Sequence, residues 1–354
     1  MLCYYIELSS KQDVKHIPKQ TARQAGFKMP AEWGPHERCW MAWPCRTELW
    51  GDNLAATKQA YANVANAIAE FEPLVMLTPP SAVEAAAKLC GERVELITME
   101  LDDSWTRDNG PNFLKGPNGE LGASLFHFNA WGQKYKSFRK DAALGERLCE
   151  YLGIRHFSSP LFMEGGGINV DGTGTVMTSE TCVMNANRNP SITRRDAETE
   201  LSDALGADKT IWLPGDPDDV ETDGHVDGIA CFVREGVVMV TICPDRSLPR
   251  AESLQKNVRA LEQATDAKGR RLEIILIEEA LEAKARSKIF ARSYINFYLA
   301  NGGVVMPGFG ISRDKKAREV VQACFPDREV VQIDINDIAL GGGGIHCITQ
   351  QQPA

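Results

Sequence analysis

The chain of 354 residues holds ten cysteines, yet it contains no Cys-x-x-Cys pair and no His/Cys spacing of the zinc type. That absence excludes a zinc-ribbon or zinc-finger organisation. No stretch approaches the roughly 18–20 apolar residues of a membrane-spanning helix. The opening Met1-Leu2-Cys3-Tyr4-Tyr5 lacks the basic start and long apolar run of a secretion signal. Excess positive charge is missing too. The formal net charge is −9, which disfavours nucleic acid as a partner. No low-complexity linker interrupts the chain, and a chain this long needs no disulfide staples. The expectation is a reduced, cytoplasmic protein with neither a nucleic-acid nor a membrane partner. The sequence leaves a homo-oligomer open.

What is present is ordinary for a soluble globular enzyme: 43% hydrophobic and 25% charged residues. At about 150 residues per domain, the length fits two domains or one large one. Amphipathic segments alternate with short apolar runs. Ser81–Cys90 precedes Val94–Ile97, Ser137–Leu152 precedes Ile154–Phe157, and Thr193–Leu205 precedes Thr210–Leu213. Arg250–Ala267 then precedes Leu272–Ile277, and Arg313–Cys324 precedes Glu329–Ile333. The strand starts recur roughly every sixty residues, the mark of a pseudo-symmetric array. Further strand-like runs follow at Leu121–Phe126, Thr175–Ser179, Ile229–Val233, Val237–Ile242 and Val304–Met306. An open doubly wound α/β sheet also alternates helices and strands. Several strands per helix favour a closed ring, whose five polar or glycine-rich loops would meet at the axis.

Those loops carry the chemistry. Cys347 ends Gly341-Gly342-Gly343-Gly344-Ile345-His346-Cys347, where bare glycines are expected to expose a thiol. A thiolate is a nucleophile, and a distant histidine with carboxylates completes a covalent-catalysis set. His225 lies in Glu221-Thr222-Asp223-Gly224-His225-Val226-Asp227. Read as a strand, this segment puts His225 and Asp227 on one face, a proton shuttle beside an anion. Glu164 emerges from Leu161-Phe162-Met163 into three glycines and suits a partner for His225. Asp108, before Asn109-Gly110-Pro111, is either a turn former or a site acid. Trp105 and Trp131 are each core or pocket wall, and Asn296 is pocket lining or a structural amide. His346 either tunes the thiol or faces away from it. A thiol ringed by carboxylates suits a guanidinium, a planar cation that acids grip bidentately.

Six ordered stretches carry a resemblance: Met29–Glu37, Trp105–Pro111, Phe128–Gly132, Glu164–Gly167, Glu221–Asp227 and Gly341–Gln350. Over about Gly26 to Pro353 the chain resembles the agmatine deiminase family. That family belongs to the guanidino-group-modifying, or pentein, superfamily, alongside bacterial-type peptidylarginine deiminases. The resemblance implies a five-bladed α/β propeller, with residues 26–354 one catalytic domain and residues 1–25 an N-terminal arm. It implies Cys347 as nucleophile, His225 as proton shuttle partnered by Glu164, and Asp108 and Asp227 as the guanidinium clamp. It also implies Trp105 and Glu221 as contacts to the substrate tail, with Glu221 on agmatine's ammonium. No metal or organic cofactor is implied. The alternatives are a deiminase of arginine in peptides or of another small guanidine, a non-enzymatic guanidinium-binding protein, and a papain-like thiol hydrolase. An intact nucleophile argues against the binding protein, and a nucleophile so near the C-terminus argues against the papain type.

Overall fold

The computed structural model describes residues 20–354. Sixteen strands form five separate sheets. Strands β1 (His36–Ala42), β2 (Leu74–Thr78) and β3 (Val94–Thr98) join the last strand, β16 (Thr349–Pro353), in the order β16-β1-β2-β3. The second sheet is β4 (Asn112–Lys115), β5 (Leu121–His127) and β6 (Arg155–Phe162). The third is β7 (Ile168–Val170), β8 (Thr175–Ser179) and β9 (Lys209–Leu213). The fourth is β10 (Ala230–Arg234), β11 (Val237–Ile242) and β12 (Glu273–Glu278), and the fifth β13 (Tyr298–Ala300), β14 (Gly303–Gly308) and β15 (Glu329–Asp334).

One rule builds every blade. An inner strand turns back antiparallel into the middle strand, and a helix then returns the chain to a parallel outer strand. Such a parallel step needs a crossover, and the helix supplies it. Middle strands are covered on both faces, so Val237–Ile242 is apolar at almost every position. The blade containing both chain ends uses β16 as inner and β1 as middle strand. The last strand therefore closes the ring against the first. The fold is the five-bladed α/β propeller expected above.

The structure corrects several boundaries. The crossover helix of the closing blade is Leu54–Ile68, which buries Tyr61, Val64, Ala65 and Ile68 on one face and was not singled out from sequence. The segment read as its equivalent forms the short helix Val83–Leu89 and an additional edge strand, β3. The expected helix Ser137–Leu152 is instead Arg139–Ala142 followed by Leu144–Leu152. Asp141 anchors the first of these separately, accepting the Asp102 and Asp103 N–H groups at 2.8 and 3.1 Å. The expected helix Arg250–Ala267 runs Pro249–Gln263 and stops where Ala264 turns extended. Arg194–Leu205 is bounded by its own sequence: the Thr193 hydroxyl caps the Asp196 N–H at 3.2 Å, and Gly206 takes the left-handed conformation.

The expected arm at residues 1–25 lies outside the described residues up to residue 19. Residues 20–25 pack on the third blade, where Ala22 is buried and Arg23 N–H donates to Asp203 O at 3.0 Å. No helix among the described residues is long and apolar enough to cross a membrane.

Candidate active site

Each inner strand is preceded by a loop at the ring axis, and these five loops supply the site. Asp108 sits on the single turn Thr106–Asn109 before β4, and Glu164 on the approach to β7. His225 and Asp227 precede β10, Asn296 precedes β13, and Cys347 precedes β16. The strand expected at His225–Asp227 is instead an extended residue followed by the 3-10 turn Val226–Gly228. The turn still delivers both side chains to the axis.

Cys347 Sγ lies 3.4 Å from Asp227 Oδ2 and 3.2 Å from Asn296 Nδ2. Asn296 Oδ1 also accepts the Cys347 N–H at 3.3 Å, and Asn296 Nδ2 approaches Asp227 O at 3.3 Å. One amide thus stitches the third, fourth and fifth loops together. The first loop joins by its backbone, where Arg107 N–H donates to Cys347 O at 3.2 Å.

The His225 ring is held by one edge only. Nε2 meets Glu164 Oε2 at 2.9 Å, while the buried Nδ1 has no hydrogen-bond partner among the described residues and stands 3.7 Å from Asp108 Oδ1. Glu164 is fully buried, and both its oxygens accept from Arg188 Nε at 3.0 and 2.9 Å. Removing one member of such a buried pair typically costs about 3–5 kcal/mol, so Arg188 fixes Glu164 and, through it, the ring. Asp108 is held from two sides: Gly166 N–H donates to Oδ1 at 3.0 Å and Trp131 Nε1 to Oδ2 at 2.9 Å. Trp131 reaches it from a left-handed turn, with positive φ at Ala130, Trp131, Gly132 and Gln133. Non-glycine residues in that region cost of order 1–2 kcal/mol each, and the Asn129 side chain, accepting Gly132 N–H at 2.8 Å, holds the turn closed.

The tetraglycine does something other than expected. Cys347 is 6% exposed, so the thiol is nearly buried. The glycines instead make room for other groups. A Cβ at Gly341 would stand 2.4 Å from Trp50, at Gly342 2.7 Å from Glu221, at Gly343 2.3 Å from Trp105 and at Gly344 2.6 Å from Asn296 Oδ1. Trp105 is buried, stacked on Trp50 at 5.6 Å, with its Nε1 donating to Asp103 Oδ2 at 3.0 Å. Glu221 is half-buried and accepts the Tyr135 hydroxyl at 2.7 Å on Oε1. A cavity of about 250 Å³ opens onto His225, Asp227, Asn296, Gly343 and Cys347. Its outer part reaches Asp218, Asp219, Arg250, Glu279, Lys288 and Arg292.

The electrostatics follow from burial and from who faces whom. Burial, then Asp227 and Asp108, push the Cys347 thiol well above its ordinary value. Burial pushes the Asp108 carboxyl up to about 6, against the pull of His225 and with help from Asp227 and Glu164. Burial alone would depress the His225 imidazole, but Asp108, followed by Cys182 and Glu164, outweighs it and holds the ring well above its usual range. Burial likewise opposes ionisation of Glu164 and Asp227. Arg188 and His225 overcome it for Glu164, and His346 overcomes it for Asp227, so both acids are held low.

Glu164, Cys182 and His225 bring an oxygen, a sulfur and a nitrogen within 4.8 Å of one another. Arg188 already neutralises that carboxylate, which opposes a divalent cation at the same place.

Sequence reasoning picked Cys347, His225, Asp108, Asp227, Glu164 and Asn296, and the fold brings all six to the axis. It did not pick Arg188, Arg107, Gly166 or Glu32. Glu32 was visible within the stretch Met29–Glu37, whereas Arg188 follows Asn185-Ala186-Asn187 with no local pattern to mark it.

The Porphyromonas-type peptidyl-arginine deiminase family matches residues 28–353. A protein of Legionella pneumophila is 45% identical over 334 residues, covering 94% of this chain and 96% of its own. The agmatine deiminase of Stutzerimonas stutzeri is 39% identical, with coverages of 94% and 97%. The solved structure of the agmatine deiminase of Enterococcus faecalis, described as catalysing its reaction, superposes with a TM-score of 0.91 at 34% identity, covering 95% and 98%. With the family match spanning nearly all the described residues, the chain belongs to the Porphyromonas-type peptidyl-arginine deiminase family.

Proposed function

We infer that the protein hydrolyses the guanidinium group of agmatine to N-carbamoylputrescine and ammonia through a covalent cysteine intermediate. One observation carries this reading: Cys347 Sγ, the unpaired edge of His225 and the carboxylate of Asp227 converge around a single cavity. Asp227 in the cavity lining and Asp108, which stands behind it 3.7 Å from His225 Nδ1, grip the guanidinium nitrogens and present its carbon to the sulfur. Burial and the two acids hold the thiol protonated; the arriving cation offsets the acids, the thiol proton leaves to solvent in exchange for it, and the thiolate forms. Sulfur adds to the guanidinium carbon. His225 protonates the departing nitrogen, and ammonia leaves an S-alkylthiouronium on Cys347. The neutral imidazole then takes a proton from water, whose oxygen adds to the same carbon. The C–S bond breaks, returning the thiolate, and the remaining hydroxyl proton passes to the released ammonia or to solvent as the neutral ureido product departs.

Glu164 and Arg188 hold the ring for both transfers, and Asn296 holds the sulfur. Trp105 and Glu221 back Gly343 and Gly342 of the cavity lining, and are the contacts assigned to the substrate tail. For Glu221 the Tyr135 hydroxyl already occupies one oxygen, leaving the other for an ammonium. The reading treats residues 26–354 as one catalytic domain acting on a small cationic guanidine. All nine cysteines among the described residues are free, which supports a reducing, cytoplasmic setting.

Arginine itself is a second reading: among the mixed charges of the outer cavity, Lys288 and Arg292 offer two cations to an α-carboxylate, beside the acids Asp218 and Asp219. Ammonia release from agmatine, free arginine and a peptide arginine separates the readings. Agmatine is expected to give the highest kcat/KM, and preference for either arginine would overturn the assignment of substrate.

A further inference from the structure

We propose that His346 is a fixed imidazolium that positions Asp227 for guanidinium binding, with Glu32 as its counter-ion. The residue adjoins the nucleophile but takes no part in the steps above. Both its ring nitrogens face carboxylates. Nδ1 meets Asp227 Oδ2 at 2.9 Å, and Nε2 meets Glu32 Oε1 and Oε2 at 3.0 and 3.1 Å. An ionised carboxylate only accepts hydrogen bonds, so both contacts are satisfied only when both nitrogens carry protons. His346 is 3% exposed, and each ring nitrogen is already directly against a carboxylate.

Charge count points the same way. The groups facing His346 are Glu32, Asp227 and Arg107, whose guanidinium lies 3.8 Å from Glu32 Oε1 and whose Nε donates to His346 O at 3.4 Å. Beyond Asp227 stand Cys347, His225 and Asp108. Arg107 and His346 as cations cancel Glu32 and Asp227 as anions. A neutral imidazole would leave one uncompensated negative charge buried beside Asp108 and a thiol, a costly arrangement. The ring also fixes which oxygen is available. Oδ2 of Asp227 is committed to His346, while Oδ1 has no hydrogen-bond partner among the described residues and remains for a substrate N–H. Glu32 lies before the first strand, outside all five repeats. It is steadied by Asn169, whose Nδ2 approaches Glu32 Oε1 at 3.3 Å. Burial and Arg107 both work against the charge on His346, and Glu32 and Asp227 outweigh them.

The kinetic part of the test rests on the deiminase reading, and the spectroscopic part does not. Nitrogen NMR of the wild-type imidazoles, assigned with His346→Gln, is expected to show both His346 nitrogens protonated throughout the neutral range. A ring with one unprotonated nitrogen at neutral pH would overturn the proposal. In kinetics, the near-isosteric Glu32→Gln is expected to raise KM for agmatine about 10-fold with kcat changed far less. It should also steepen the acid limb of kcat/KM, which Asp108 sets in the wild type, as Asp227 loses its support and joins that titration, and Glu32→Asp should restore part of both. A folded Glu32→Gln protein with wild-type KM and wild-type acid limb would show that the contact is merely structural. Wild-type protein inactive on every guanidine would sink the deiminase reading and leave the NMR result to decide this one.

Discussion

Gly166 donates its backbone N–H to Asp108 Oδ1 at 3.0 Å, and the space above its Cα is where the side chains of Asp108, His225 and Asp227 converge. A Cβ there would stand 2.7 Å from Asp108 Oδ1, 2.7 Å from His225 Nδ1 and 3.0 Å from Asp227 Oδ2. The φ of Gly166 is not in the left-handed region, so alanine meets no backbone objection. What it lacks is room between the clamp and the proton shuttle. Gly166→Ala is therefore expected to fold and to lose about 100-fold in kcat/KM, the usual effect of displacing catalytic groups by an ångström. Wild-type kinetics in the folded variant would contradict this placement of the three side chains.

Ionisation of the nucleophile should depend on occupancy. In the empty site, burial and two acids hold the Cys347 thiol well above its ordinary value. Thiolate absorbance, taken as wild type minus Cys347→Ala, should be absent at neutral pH in the free protein. It should appear when a non-hydrolysable guanidine binds, because the cation reverses the local charge. A thiolate signal at neutral pH without ligand would contradict the substrate-assisted route.

The pH profile should report the clamp. Asp108 titrates near 6 in the folded protein, above the ordinary aspartate value. In the proposed clamp its anionic form binds the guanidinium, so kcat/KM, which reports free-enzyme groups, should fall as pH drops through about 6. The sign for stability is opposite. A carboxyl whose folded value is raised binds a proton more readily folded than unfolded, so raising the pH through that window removes stability. Asp108 thus favours binding and opposes folding over the same range. A kcat/KM flat from neutral pH down to the ordinary aspartate range would remove Asp108 from the clamp.

Much of this was legible in the chain because the loops at the ring axis sit where local pattern is strongest. Arg313–Cys324 reads as a helix and is one, since its apolar positions recur at helical spacing. The glycine loops around Glu164 and Cys347 marked the axis because close approach to backbone needs glycine there. β16 was not legible: Thr349-Gln350-Gln351-Gln352-Pro353 has no apolar alternation. Its glutamines are buried because they serve distant partners. Gln350 and Gln351 accept from Arg107 at 2.7 Å each, and Gln352 accepts from Trp40 Nε1 at 2.9 Å. The grip of Arg188 on Glu164 and the bridge from Glu32 through His346 to Asp227 are likewise long-range. Such contacts exist only once the ring closes, and no local spacing announces them.

The central claim is that Cys347 carries the reaction, and ammonia release from agmatine by Cys347→Ala tests it most directly. With circular dichroism matching wild type, the variant is expected to lose about 10⁴-fold or more in kcat, the scale seen when a covalent nucleophile is removed. A folded Cys347→Ala protein that released ammonia at a rate near wild type would contradict the account.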